Sequence, residues 1–98
     1  MKGINAIKDI APLLNLKEDL VNKAFEILVK AEEEGTIKGQ KNEAKAATAI
    51  FIASKLMNQA RDKRRILVAS KITEKRFNRC FKLMVKASPH SNIMADAS

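Results

Sequence analysis

The sequence predicts an all-α domain of about five helices, and three observations carry that expectation. Apolar residues recur at i, i+3, i+4 and i+7 through most of the 98 residues. Only three Gly and two Pro interrupt that pattern. With 46% hydrophobic and 31% charged residues, the chain should fold around one core rather than stay disordered. A chain of this length makes one small domain, too small for two lobes with a substrate cleft between them.

The elements follow in order. Ile7, Ile10, Ala11 and Leu14 mark a short first helix that Pro12 kinks or ends. Asn15, three residues before Glu18, is positioned to cap a second helix with Leu20, Ala24, Ile27, Leu28 and Ala31 on one face, and Gly35 stops it. Thr36, Ile37, Lys38, Gly39 and Gln40 then form a loop whose second glycine permits a left-handed turn or close backbone approach. A third helix, over residues 42–57, contains Ala44, Ala46, Ala47, Ala49 and Ala53 with Ile50, Phe51, Ile52 and Leu56. Being apolar nearly all round, it belongs at the centre, where small residues let neighbours approach.

Asp62 can cap a fourth helix reaching about Ala69, with Ile66 and Ala69 inward; Ser70, Lys71 and Ile72 form a turn, and Thr73 caps the fifth. On that last helix Phe77, Cys80, Phe81, Met84 and Ser88 share one side, while Lys75, Arg79, Lys82 and Lys86 step along the other. At about 100° per residue those four cations fall within a strip roughly 60° wide. Residues 89–98 read as a polar tail or linker after a domain spanning residues 1–88.

Charge is placed rather than spread. All five arginines lie between positions 61 and 79, and residues 61–98 carry ten Lys and Arg against Asp62, Glu74 and Asp96, a net +7 of the chain's +8. Such concentration implies an acidic partner, because like charges repel unless something negative answers them. Other classes recede. One Cys and one His cannot build a disulfide framework or a zinc site, so no metal or other cofactor is expected. Cys80 on an apolar face reads as core rather than as a nucleophile, and His90 in the tail has no catalytic context. Glu32, Glu33 and Glu34 point in different directions on a helix and read as a solvated helix end. No apolar run approaches the roughly 20 residues of a membrane span, and the N-terminus has no signal-like pattern, so a soluble intracellular protein is expected. The fourth and fifth helices have helix-turn-helix spacing, but spacing alone fits a solvated basic face on an ordinary bundle equally well.

A more specific signal lies in the order of residues. Lys38-Gly39, Ala44, Ala46-Ala47, Ile50-Phe51-Ile52-Ala53, Arg61, Ile66, Ser70, Ile72, then Arg79-Cys80-Phe81-Lys82-Leu83 with Lys86-Ala87, resembles the first cyclin-like repeat of the eukaryotic transcription initiation factor IIB family over roughly residues 16–88. The string at 79–82 is the most distinctive part; the Ala-rich third helix is shared with cyclin boxes at large. The N-terminal helix aligns poorly and looks shorter than in the family.

The resemblance implies a five-helix cyclin-like fold and an adaptor rather than an enzyme, acting in the nucleus. In the family, paired repeats clamp TATA-binding protein on bent promoter DNA, and the first repeat also docks on RNA polymerase II. The loop that approaches the minor groove lands on Lys38, Gly39 and Gln40, beside Lys41; the family's usual arginine is Gln40 here, which keeps hydrogen-bonding capacity but loses charge. The surface toward the acidic stirrup of TATA-binding protein maps onto Lys55, Lys71, Lys75 and Arg79, with Glu74 standing where a basic residue is usual. Arg61, Arg64, Arg65, Lys82 and Lys86 are left to DNA backbone, polymerase or other partners, an activator for the last two or plain solvent for the arginines. The family's zinc ribbon, reader, linker and second repeat do not fit into these residues, so a fragment or a stand-alone domain is expected, binding DNA weakly by itself. The alternative is a cyclin-type interaction module, or a relative of the RNA polymerase III factor, whose basic face docks an acidic protein without touching DNA.

Overall fold

The computed structural model describes residues 2–59 and 61–87. Five α-helices, α1 (Lys2–Ile10), α2 (Glu18–Glu34), α3 (Asn42–Leu56), α4 (Lys63–Ser70) and α5 (Glu74–Ala87), are joined by short turns, with a 3-10 turn over Ala11–Leu14 following α1. Ser88, His90 and the tail expected over residues 89–98 lie outside the described residues.

The alanine-rich helix takes the central position that its composition predicts. Every residue from 46 to 54 is buried, and α3 packs against each of the other four helices. Small side chains make this possible, because helices approach within roughly 8–10 Å only where the facing residues are small or interdigitate. The buried hydroxyls on the central helix return to its own backbone: Thr48 donates to the Ala44 carbonyl at 2.8 Å and Ser54 to the Phe51 carbonyl at 2.7 Å. No polar group of theirs is left needing water. Leu20, Ala24, Leu28 and Ala31 form the buried face of α2, as the periodicity requires, while Ile27 is only half-buried at its edge. Gly3 lets α1 settle on that helix: a Cβ there would stand 2.9 Å from Leu28 Cδ2.

Helix ends show where local chemistry diverged from expectation. Pro12 does not simply stop α1; the chain tightens into the 3-10 turn, in which proline occupies an early position that needs no N–H. Asn15 is not the N-cap of α2. It adopts a left-handed conformation (φ 53°) that closes the 3-10 turn, a role asparagine tolerates better than most residues, and Lys17 caps α2 without a side-chain bond. Asp62 does cap α4, accepting from the Arg64 amide at 3.2 Å, and Thr73 caps α5, accepting from the Arg76 amide at 3.2 Å. The fourth helix runs one residue further than its pattern suggests, to Ser70, whose hydroxyl donates to the Ile66 carbonyl at 2.6 Å. Lys71 therefore terminates it, and Ala69 is half-buried rather than fully inward.

Candidate nucleic-acid and protein interface

The basic strip is oriented by an aromatic cluster. Phe77 is buried on α5 and stacks on the half-buried Phe81 with ring centroids 5.8 Å apart; Phe51 of α3 meets both edge-on at 5.3 and 5.7 Å. These arrangements suit the ring quadrupoles and add about 0.5–1.5 kcal/mol per pair beyond burial. With Phe77, Cys80 and Met84 locked inward, Lys75, Arg79 and Lys82 are necessarily outward, and all three are exposed. Lys86 lies further along the same helix. Lys71 stands one step ahead of it at the α4–α5 turn, also exposed.

Two further ammonium groups lie on the aromatic cluster, and their surroundings separate them. Lys55 Nζ sits 5.4 Å from the Phe51 ring centroid; Lys63 Nζ sits 5.3 Å from that of Phe77 and 3.1 Å from Glu74 Oε2. Glu74, the acid standing where the family is usually basic, thus answers Lys63 across the start of α4 and α5. Among the described residues, none of Lys55, Lys71, Lys75, Arg79 and Lys82 forms an ion pair. Their charge is available to a partner. Of the three remaining arginines expected there, Arg64 and Arg65 are exposed on α4, whereas Arg61 is half-buried and donates to the Gln59 carbonyl at 2.9 Å, tying down the α3–α4 connection.

Lys71 carries its charge at an energetic disadvantage. Its φ of 57° is left-handed, a region that favours glycine, and its amide closes α4 on the Val68 carbonyl at 3.3 Å. Lys71→Gly is expected to raise stability by up to about 1 kcal/mol through relief of that strain while weakening partner binding. Urea denaturation alongside a binding titration checks both signs; a destabilised variant with unchanged binding would contradict them.

The expected DNA loop is a built turn. Ile37 is fully buried and plugs the loop into the core, the Gln40 amide donates to the Ile37 carbonyl at 3.1 Å, and Gly39 at the third turn position has φ 88°. That is the position of a type II turn where glycine is favoured. Lys38, Gly39 and Lys41 are exposed and Gln40 half-buried, so the turn presents its cations outward. Lys41 opens α3 and Lys55 lies near its end, 14 residues later, which separates them by about 21 Å along the axis. Structure therefore does not merge the two groups of expected contacts. Helix α5 packs on the same central helix, with Phe77 and Phe81 on Phe51 and the Cys80 thiol against Thr48.

One pair escaped the sequence reading. Glu32 is half-buried, not a solvated helix end: its Oε1 lies 2.6 Å from Lys45 Nζ, with side chains 26% and 12% exposed. Among the described residues neither this oxygen nor the Thr36 hydroxyl has an aligned hydrogen-bond partner, so the ammonium answers the carboxylate chiefly as a charge. Opposite charges flanking a short loop were the available signal. Burial pushes the Cys80 thiol above its ordinary value, against the pull of Thr48 and Lys45, which fits a core role. Among the described residues no three His, Cys, Asp or Glu side chains are grouped as a metal site, and no helix is long and apolar enough to cross a membrane.

Four helices packed around a buried central one, with cations displayed on the last, have the architecture of a cyclin-like repeat. The chain belongs to the transcription factor TFIIB repeat family, which it matches over residues 1–87. The match includes the N-terminal helix, the part of the sequence in which the resemblance is weakest. Among relatives, transcription initiation factor IIB of Drosophila melanogaster is 33% identical over 87 residues, covering 86% of this chain and 28% of that protein. The Drosophila virilis and human factors are 33% and 31% identical over the same length. The chain spans less than a third of the length of these relatives.

Proposed function

We propose that this domain is a general transcription initiation factor module that binds TATA-binding protein on promoter DNA and helps recruit RNA polymerase II in the nucleus, without enzymatic activity. The supporting observation is the set of exposed cations Lys55, Lys71, Lys75 and Arg79, without an ion pair among the described residues, the last two set outward by the burial of Phe77 on α5, in a member of the TFIIB repeat family. An acidic protein surface is their natural complement, since rim charges chiefly raise association rate and set orientation. Promoter DNA is assigned to the loop bearing Lys38, Gly39, Gln40 and Lys41, where glycine admits the sugar-phosphate wall and lysine neutralises phosphate. Gln40 adds hydrogen bonding without charge, so this loop contributes positioning more than sequence reading. Lys82, Lys86, Arg64 and Arg65 are assigned to DNA backbone or polymerase, and residues 1–88 to the repeat, with residues 89–98 as a linker or tail.

Salt dependence tests the nucleic-acid part. Binding to a complex of TATA-binding protein and promoter DNA is expected to weaken with salt along a log–log slope near −3, about three phosphate contacts. A response that does not change when the DNA flanking the TATA element is removed favours docking on an acidic protein alone.

A further inference from the structure

We infer that the Glu32–Lys45 ion pair is a brace that holds the 35–41 loop in its binding shape, so that two residues outside the loop position Lys38 and Lys41. This rests on the assignment of that loop to nucleic acid. Glu32 lies in the last turn of α2 and Lys45 in the first turns of α3, so their 2.6 Å contact cross-links the two stems from which the loop springs. Both charges stand at the unfavourable ends of their helices: a carboxylate at a C-terminus and an ammonium near an N-terminus each oppose the helix dipole. Neither site favours its residue alone. Only the contact between them compensates, and at 26% and 12% side-chain exposure it is shielded from the screening that makes surface pairs weak.

Apolar packing of α2 on α3 also holds the stems together, and the restraints within the loop are local. Ile37 anchors its middle and the Gly39 turn shapes its tip, while nothing else among the described ion pairs spans its stems. A loop already ordered before binding loses less conformational entropy when it meets a partner. The pair also sits among Glu33 and Glu34, acids that repel phosphate, so a second explanation must be separated from the first: Lys45 acting only by neutralising Glu32. The two give opposite signs. As a neutraliser, removing the acid with Glu32→Gln should tighten DNA binding and Lys45→Gln should weaken it; as a brace, both should weaken it.

The experiment compares wild type, Glu32→Gln, Lys45→Gln and the exchanged pair Glu32→Lys with Lys45→Glu. The exchanged pair keeps the contact and places each charge at its favourable helix end, so it should fold even where a single variant is weakened. Exchange of the Gln40 amide, which reports the loop turn, is expected to accelerate about 5–10-fold in each single variant relative to the core amide of Ile50, and to recover in the exchanged pair. Affinity for TATA-binding protein on a TATA duplex is expected to fall about 3–10-fold in both single variants and return in the exchanged pair. Unchanged Gln40 exchange, or tighter binding by Glu32→Gln, overturns the brace. If wild type does not bind the duplex complex at all, the nucleic-acid assignment fails, and Gln40 exchange still decides whether the pair braces the loop.

Discussion

Lys75→Glu combined with Arg79→Glu is expected to prevent assembly on a preformed complex of TATA-binding protein and promoter DNA while leaving the fold intact. Both side chains are exposed, and neither pairs with a carboxylate among the described residues, so their loss removes no internal contact. Lys75 lies in the first turn of α5, where a glutamate suits the helix dipole better than a lysine does. The new i,i+4 repulsion between the two glutamates costs only about 0.2–0.5 kcal/mol, and stability should stay within about 0.5 kcal/mol of wild type. Binding is affected far more, because each reversal replaces attraction with repulsion at an acidic surface. A loss on the order of 100-fold is expected in gel-shift titration. Undiminished assembly by a folded double variant sinks the assignment of this strip.

Phe77→Ala is expected to destabilise the domain by about 3–5 kcal/mol, as large-to-small changes at buried aromatic sites do. Phe77 is 2% exposed, stacks on Phe81, receives the edge of Phe51 and lies under the Lys63 ammonium, so its removal leaves a void that three neighbours border. Small domains are stable by only about 5–15 kcal/mol, so this single change removes much of the total. Urea unfolding reads it as a midpoint lowered by roughly 2–4 M at an unchanged slope. Phe81→Ala, at a half-buried position, should cost clearly less. A loss below about 1 kcal/mol for Phe77→Ala would show that the cluster does not hold the strip in place.

Elements with a strong periodic signal were the ones legible from sequence. The Ala-rich run of α3 needs no partner information to be central, because a helix apolar all round can only be covered on all sides. The α5 pattern likewise separates Phe77, Cys80 and Met84 from Lys75, Arg79 and Lys82, since 3.6-residue spacing alone assigns the two faces. Cap residues were legible when their side chain bonds the helix it precedes, as at Asp62 and Thr73. Asn15 misled because asparagine serves two local geometries equally, an N-cap and a left-handed closure, and the 3-10 turn after Pro12 decided between them.

The site was less legible because charge in sequence does not reveal which cations are already answered. Lys63 and Lys55 look alike in the chain, yet Glu74 neutralises the first and leaves the second available. Arg61 belongs to the arginine cluster by position and to a chain turn by its bond to Gln59. Glu32 looks solvated beside Glu33 and Glu34 until α3 brings Lys45 against it. In each case the deciding contact lies between elements or within a turn, where periodicity carries no information.

The outward cations of this repeat are proposed to dock an acidic surface of TATA-binding protein on promoter DNA. A pull-down of the 98-residue chain with TATA-binding protein, with and without a TATA duplex, tests it most directly. Capture is expected with both present and should be markedly weaker with either component alone, since Lys38 and Lys41 then lose the phosphates or Lys75 and Arg79 lose the acidic face. No capture by the assembled complex, with the folded chain in excess, would contradict the account.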